Sequence, residues 1–182
     1  MAAMALSATI AVAASPGDRT VQALMDGWVD PSADALWAAV GEVQTRDGLH
    51  VRAPRSDVAW RRLRARADRL VAGARRLALA RTAGGEGHGL ADASTPGTRT
   101  AAQITADIQA DPARFAAAAG RLERAGLDAA TAIDRKDPRA LTSAGATIDA
   151  ACEACHAAYW YPRTPPAPLP PDEDFARSAT AP

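Results

Sequence analysis

Apolar residues recur at steps of three and four along several stretches of this chain, as they do on the buried face of an amphipathic helix. The first such stretch covers residues 20–43, and Pro31 within it either kinks one helix or starts a second one. The second stretch begins after Ser56, a favourable N-cap, and continues to about Arg81. Their predicted buried faces carry Val21, Leu24, Met25, Trp28 and Leu36 in the first, and Trp60, Leu63, Ala67, Leu70, Ala74 and Leu77 in the second.

Two further helices are predicted where a capping aspartate precedes a proline at the first helical position. These signals are Asp111-Pro112 and Asp137-Pro138, and a short helix near 101–108 is predicted in the poorly patterned region before them. Short links at two of the three junctions between the four main helices favour neighbouring helices that run in opposite directions. The pattern therefore predicts an all-α fold, an antiparallel four-helix bundle.

Composition agrees with helix and narrows the class of protein. A chain of 182 residues is long enough for one domain, and with 48% hydrophobic but only 4% aromatic residues its core must be filled mainly by alanine and leucine, which are good helix formers. A net charge of zero argues against a general nucleic-acid binder. Between Arg55 and Arg81, however, nine arginines face two aspartates, which indicates either a solvated helix face or a docking surface for an acidic partner.

The two ends of the chain differ in composition from the predicted domain at 15–161. Residues 1–14 are small and apolar and offer small-residue cleavage positions around Ala13, so a signal peptide is predicted, although the usual positive n-region is missing. Residues 162–182 are rich in proline, and we expect an extended or disordered tail. No run of eighteen apolar residues occurs, so no membrane-spanning segment is predicted.

Both cysteines of the chain lie in the stretch DAACEACHAAYWYP, at 149–162. On a helix, Cys152, Cys155 and His156 share one side because they are three and four residues apart. C-x-x-C-H is the attachment signature of c-type haem, in which both sulfurs form thioether bonds to porphyrin vinyl groups and the imidazole binds the iron. The sequence therefore predicts one covalently attached haem c with His156 as the proximal ligand.

Other readings of the motif fit less well. A thioredoxin-type dithiol needs a βαβ setting, and structural zinc needs four ligands, which would have to include histidines as far apart as His50, His88 and His156. His50 and His88 instead lie in predicted loops, where we expect surface residues. Two buried cysteines with a chance histidine would leave a non-haem helical binding module. Because haem is joined to thiols outside the bacterial plasma membrane, the motif and the leader together predict a periplasmic protein.

Two pieces of the sequence resemble the class II c-type cytochromes, the cytochrome c′ and cytochrome c-556 family. They are VQALMDGWVDPSADALWAAVG near the N-terminus and DAACEACHAAYWYP, and the resemblance covers about 20–162, with the middle matched only in helical pattern. It implies a four-helix bundle with covalent haem, and it makes a homodimer plausible. The glycine-rich segment at 82–97 and the proline-rich tail depart from the family pattern.

The resemblance also implies a role for Met25, which apart from Met1 and Met4 is the chain's only methionine. Low-spin members of the family supply an axial thioether from this position, whereas cytochrome c′ leaves the iron five-coordinate. With His156 and Met25 as ligands, the protein is predicted to be a one-electron carrier for redox partner proteins and not an enzyme. The alternative is a five-coordinate protein that binds nitric oxide or carbon monoxide, with Met25 as a core filler. Trp28 and Tyr159 are predicted to lie near the porphyrin.

Overall fold

The computed structural model describes residues 20–85, 90–91 and 93–161. The predicted signal peptide at 1–14, His88 and the proline-rich tail at 162–182 lie outside the described residues. The elements in chain order are α1 (Val21–Leu24), a π-helical segment (Met25–Val29), α2 (Asp30–Ala39), β1 (Gly41–Thr45), β2 (Gly48–Arg52), α3 (Asp57–Leu77), α4 (Ala101–Ala110), α5 (Pro112–Asp134) and α6 (Pro138–Tyr159).

The N-terminal helical stretch continues without a break, but it changes from α-helix to π-helix and back to α-helix. Its first turn is capped by Thr20, whose Oγ1 accepts a hydrogen bond from the backbone N–H of Ala23. Pro31 lies in the first turn of α2, next to the π-helical segment. The sequence left open whether Pro31 kinks one helix or starts a second one. In the structure the helix changes type next to Pro31 but does not break. The helix ends where Val40 becomes extended and Gly41 adopts a φ of +156°.

A β-hairpin follows, and it overturns the predicted fold class. β1 and β2 pair antiparallel, with Gly41 opposite Arg52 and Thr45 opposite Gly48. The prediction of an all-α antiparallel four-helix bundle is wrong, because the fold contains this two-stranded sheet. The short helix predicted near 101–108 is confirmed as α4. The first helical stretch was predicted to reach Val43, but Val43 lies in β1.

The long helices α3 and α5 pack closely on each other at the centre of the molecule. Ser56 caps α3, since its Oγ accepts from the N–H of Ala59, as predicted. A Cβ atom at Gly126 of α5 would lie only 2.9 Å from a methyl carbon of Val71 on α3, so a side chain at 126 would force these helices apart. The predicted apolar seam of α3 is confirmed as buried, and it consists of Trp60, Leu63, Ala67, Leu70, Ala74 and Leu77.

The predicted helices α5 and α6 are confirmed, with α6 packed on α5 and α2 in contact with both α3 and α6. Each begins at the predicted proline, and the side chains of Asp111 and Asp137 accept backbone N–H bonds from their first turns. These bonds satisfy donors that a helix leaves unpaired at its N-terminus. In the part of the chain that the structure describes, every helix is too short or too polar to cross a bilayer.

The segment between α3 and α5 ties the two ends of the fold together. The backbone N–H groups of Val21 and Gln22 donate to the carbonyls of Thr82 and Ala83, both at 2.9 Å. Further along, α4 is stabilised by a capping box at its start and by the fully buried Ile104 and Ile108. The N–H of Arg99 then donates to the carbonyl of Trp160 at 3.0 Å. The start of α1 and the end of α6 are thereby held in place, and both border the cleft described next.

Candidate cofactor cleft

The C-x-x-C-H motif occupies the last two turns of α6. Asp137 and Pro138 set the start of this helix, and regular helical structure continues to Tyr159. The backbone N–H of Trp160 donates to the carbonyl of His156 at 2.8 Å and closes the final turn. Because the helix is regular through the motif, Cys152, Cys155 and His156 face the same side, as predicted.

That side of α6 forms one wall of an apolar cleft. Both thiols and the imidazole of His156 line it, and Met25 lines it from the π-helical segment. The remaining lining residues are all apolar, namely Val21, Leu77, Phe115, Ala118, Ala119, Leu122, Ala151 and Trp160. Four predicted site residues from opposite ends of the sequence are therefore brought together: Cys152, Cys155, His156 and Met25.

The cleft is narrow and opens to solvent on one side. The cavity itself measures about 40 Å³, and the empty space reaches about 450 Å³ only when the open solvent at its mouth is counted. Ala118, Ala119 and Ala151 leave room beside the thiols, since each carries only a methyl group. A flat apolar ring system with two sites for sulfur attachment and a metal for nitrogen and thioether ligands matches these donors and this lining. Binding such a ring system would require the walls of the cleft to lie further apart than they do in this structure.

Burial dominates the electrostatics of the two thiols. It raises the pKa of Cys152 from 9.0 to about 11, with smaller contributions from Asp30 and from Cys155. It raises the pKa of Cys155 from 9.0 to about 11 as well, against an opposing contribution from Arg121. Both cysteines are free thiols and are protonated at neutral pH. Dithiol oxidoreductases need the opposite shift, so this site does not have the electrostatics of a redox-active thiolate.

Asp30 is not among the described residues that line the cleft, but it interacts electrostatically with the motif, which the sequence did not reveal. Its pKa is raised by burial first, then by the carboxylates of Asp26 and Asp34, while His156 acts in the opposite direction. Asp30 also contributes to the raised pKa of Cys152. The carboxylate at the start of α2 therefore interacts electrostatically with the motif on α6. A sequence signal was lacking, because only the packing of α2 on α6 brings these residues together.

Trp28 and Tyr159 were predicted to lie near the porphyrin, and the structure shows where they lie relative to the cleft. Neither is among the described residues that line the cleft. Tyr159 is buried, with its ring edge-on to Phe115 at 5.2 Å between centroids, and Trp28 packs against arginines of α3. Trp160 lines the cleft instead, and its ring lies 6.0 Å from that of His156. The spacing of four residues from His156 was the available signal for Trp160.

The zinc alternative gains no support from the described residues, which contain no group of three or more potential metal-binding side chains. His50 lies on β2 and is exposed. It was predicted to be a surface residue in a loop. The exposure is confirmed, but the element is a strand.

No protein-family model, curated protein or solved structure matches this chain. The resemblance to class II cytochromes therefore depends on the two quoted pieces of sequence, and the case for a function depends on the cleft itself.

Proposed function

We propose that this protein is an exported c-type cytochrome that carries one electron at a time, with a single haem c attached to Cys152 and Cys155. The observation that carries the proposal is the shared cleft, in which both thiols, His156 and the thioether of Met25 line the same apolar space. Of the motifs built from two cysteines and a histidine, C-x-x-C-H is the one that attaches haem. An apolar lining with one imidazole and one thioether is the environment of an electron-carrying haem.

Each residue has a distinct role in the proposed protein. Each thiol adds its sulfur and its hydrogen across one vinyl group, so a C–S and a C–H bond form and no oxidant is required. His156 donates a nitrogen ligand from α6, and Met25 a sulfur ligand from the π-helical segment. The bound haem supplies reversible transfer of one electron at its iron. The soft sulfur of Met25 favours the ferrous state and raises the reduction potential.

The lining residues contribute by excluding water. Leu77, Phe115 and Leu122 surround the donors with apolar surface, which further favours the less charged, reduced site. Met25 at the sixth position would also block small gases. An electron carrier, and not an enzyme, is the role that follows from a site with both axial positions filled.

The proposed partners and location follow from the same chemistry. We infer a periplasmic location, because thiols are joined to haem outside the bacterial plasma membrane. The electron donor and acceptor would be proteins, and the exposed arginines of α3, which include Arg61, Arg62 and Arg66, are a surface suited to an acidic redox partner. A homodimer is a further possibility that the family resemblance implies.

Two measurements on protein matured in a host that attaches haem c test the proposal. Mass spectrometry should find one haem covalently bound, and the reduced absorption spectrum should be low-spin and insensitive to carbon monoxide. A high-spin spectrum that shifts with carbon monoxide would favour the five-coordinate, gas-binding alternative. A colourless protein with the bare polypeptide mass would refute haem attachment altogether and leave a non-haem binding module.

A further inference from the structure

The segment that carries Met25 is held by contacts from outside its own helix. In the π-helical segment the N–H of Asp30 donates to the carbonyl of Met25, five residues back. Pro31 has no N–H, so the carbonyl of Gly27 lacks the donor that would bind it in an ordinary α-helix. Short π-helical segments of this kind are frequent at functional sites.

Two side chains bind backbone carbonyls of this segment, one from α3 and one from the first turn of α2. Arg69 on α3 donates from Nη2 to the carbonyl oxygen of Gly27 at 2.7 Å. Ser32, which is fully buried, donates from Oγ to the carbonyl oxygen of Trp28 at 2.6 Å. The bond from Arg69 is charge-assisted and comes from another helix, so it fixes the position of the segment relative to α3.

Side chains on the same face of α3 also contact Trp28, the residue that follows Gly27. Two guanidinium groups pack on the Trp28 ring, with Cζ of Arg69 at 4.3 Å and Cζ of Arg76 at 3.8 Å from its centroid. Between these arginines is Gly73, where an added Cβ would approach the Cβ of Trp28 to 3.0 Å and a methyl of Val29 to 3.2 Å. The backbone of α3 therefore packs closely on the π-helical segment, and a methyl group at 73 would require Trp28 or Val29 to shift by a few tenths of an ångström.

We infer that Arg69 is a positioning residue for the distal ligand, and that the α3 surface of Arg69, Gly73 and Arg76 sets how far the Met25 thioether reaches into the cleft. This inference rests on the proposed function. Met25 begins the segment, so a shift of Gly27 or Trp28 away from α3 moves the sulfur with it. We call Arg69, Gly73 and Arg76 the α3 clamp. None of the three is among the described residues that line the cleft, so the clamp acts on Met25 through the backbone of its segment.

The experiment compares matured Arg69→Leu with wild type, Arg69→Lys, Gly73→Ala and the control Arg75→Leu. Arg75 lies on the same helix but bonds Glu123 of α5 at 2.7 Å, so its loss removes a comparable surface charge without touching the clamp. The measurements are the ferrous absorption spectrum and the rate of carbon monoxide binding, with chemical unfolding to compare stability. Because this bond has a charged donor but is solvent-exposed, loss of Arg69 should raise the carbon monoxide rate by about fivefold and add a high-spin fraction.

Each outcome decides something. A rise in Arg69→Leu and Gly73→Ala, with partial rescue in Arg69→Lys and none of the effect in Arg75→Leu, supports the inference. If Arg69→Leu yields no holoprotein, Arg69→Lys and Gly73→Ala decide, and a wild-type rate in both overturns it. Clamp variants that match Arg75→Leu while Met25→Ala binds carbon monoxide overturn the inference alone. Wild-type protein without haem refutes the proposed function, and wild-type high-spin haem refutes Met25 ligation and with it the clamp.

Discussion

The two cleft-lining segments that carry the proposed ligands are positioned in different ways. The α6 wall is a regular helix with its own cap at Asp137, and its motif faces the cleft through helical periodicity alone. The opposite wall is a π-helical segment whose carbonyls are bound by Ser32 and by Arg69 from another helix. One wall is specified by local sequence, whereas the other depends on packing against α3.

This difference suggests a division of labour in the proposed cytochrome. The wall that forms covalent bonds can be rigid, because attachment fixes the group on one side whatever the other side does. The wall that supplies an exchangeable sulfur ligand decides whether the sixth position is filled or open. In the proposed cytochrome, small changes around Gly73 could therefore open the sixth position of the iron without affecting covalent attachment of the haem. The variants below separate the contributions of the two walls.

The largest effect is expected on the α6 wall. Replacing Cys152 and Cys155 together by alanine should abolish covalent haem attachment, because both sulfurs that form the thioether bonds are gone. Mass spectrometry of matured protein measures this directly. Glu153→Ala is the matched control, since Glu153 lies between the cysteines but is exposed. Full attachment in the double variant would contradict the role of the motif, and loss in Glu153→Ala would point to a general defect in maturation.

The second effect belongs to the opposite wall. Met25→Ala should keep the covalent haem but convert a low-spin, gas-insensitive spectrum into a high-spin one that responds to carbon monoxide, because the sixth ligand is removed. Met25→Leu separates ligation from packing, since leucine has a similar volume without the sulfur. Both variants should behave alike if the thioether is a ligand. A spectrum in Met25→Leu identical to wild type would reduce Met25 to a core residue.

The contrast between the walls also explains what the sequence could predict. The motif, its helix and the capping signals at Asp111 and Asp137 are local patterns, so α5, α6 and the shared face of the cysteines followed from the sequence. Met25 could be selected by type and by family resemblance, but the π-helical segment could not, since it depends on Arg69 and Gly73 far along the chain. Periodicity does not register a contact between distant residues.

The hairpin was missed for a different reason. Its strands are largely exposed on both faces, with Val43, Leu49 and Val51 all about half exposed, so the alternation that marks a half-buried strand is weak. The useful signal was Gly48, which follows the two turn residues Arg46 and Asp47 and has a φ of +118°, as is common for glycine at the end of a hairpin loop. Turn chemistry would have indicated more here than the hydrophobic pattern did.

The third prediction concerns the reactivity of the α6 wall before haem is attached. Burial raises the pKa of both thiols from 9.0 to about 11, so in folded, haem-free protein at pH 7 the thiolate fraction should be about a hundredfold below that of an unfolded chain. Alkylation should be correspondingly slow and should accelerate as the pH approaches 11. Because the folded pKa is the higher one, the stabilising contribution of the protonated thiols is complete below pH 9 and is lost as pH rises through 11.

Alkylation in denaturant provides the reference rate for this experiment. Equal rates in folded and denatured protein at pH 7 would contradict the burial of the thiols. Gly73→Ala sharpens the comparison, because displacing the π-helical segment should speed alkylation at the facing wall, whereas the surface variant Arg75→Leu should not.

The smallest effect is expected where α2 is bonded directly to α6. Trp37 on α2 donates from Nε1 to the carbonyl oxygen of Gly145 on α6 at 3.1 Å, and its ring covers that glycine closely. Trp37→Phe removes the donor and keeps an aromatic ring, so the free energy of unfolding should fall by about 0.5–1.5 kcal/mol, the usual net contribution of one hydrogen bond. Denaturant unfolding measures the change, and the exposed Leu79→Ala serves as a control with little expected effect. Because this bond joins α2 to α6 and does not involve Arg69, Gly73 or Arg76, the haem spectrum should stay low-spin. A high-spin fraction in Trp37→Phe would mean that the contact of α2 with α6, and not α3 alone, positions Met25.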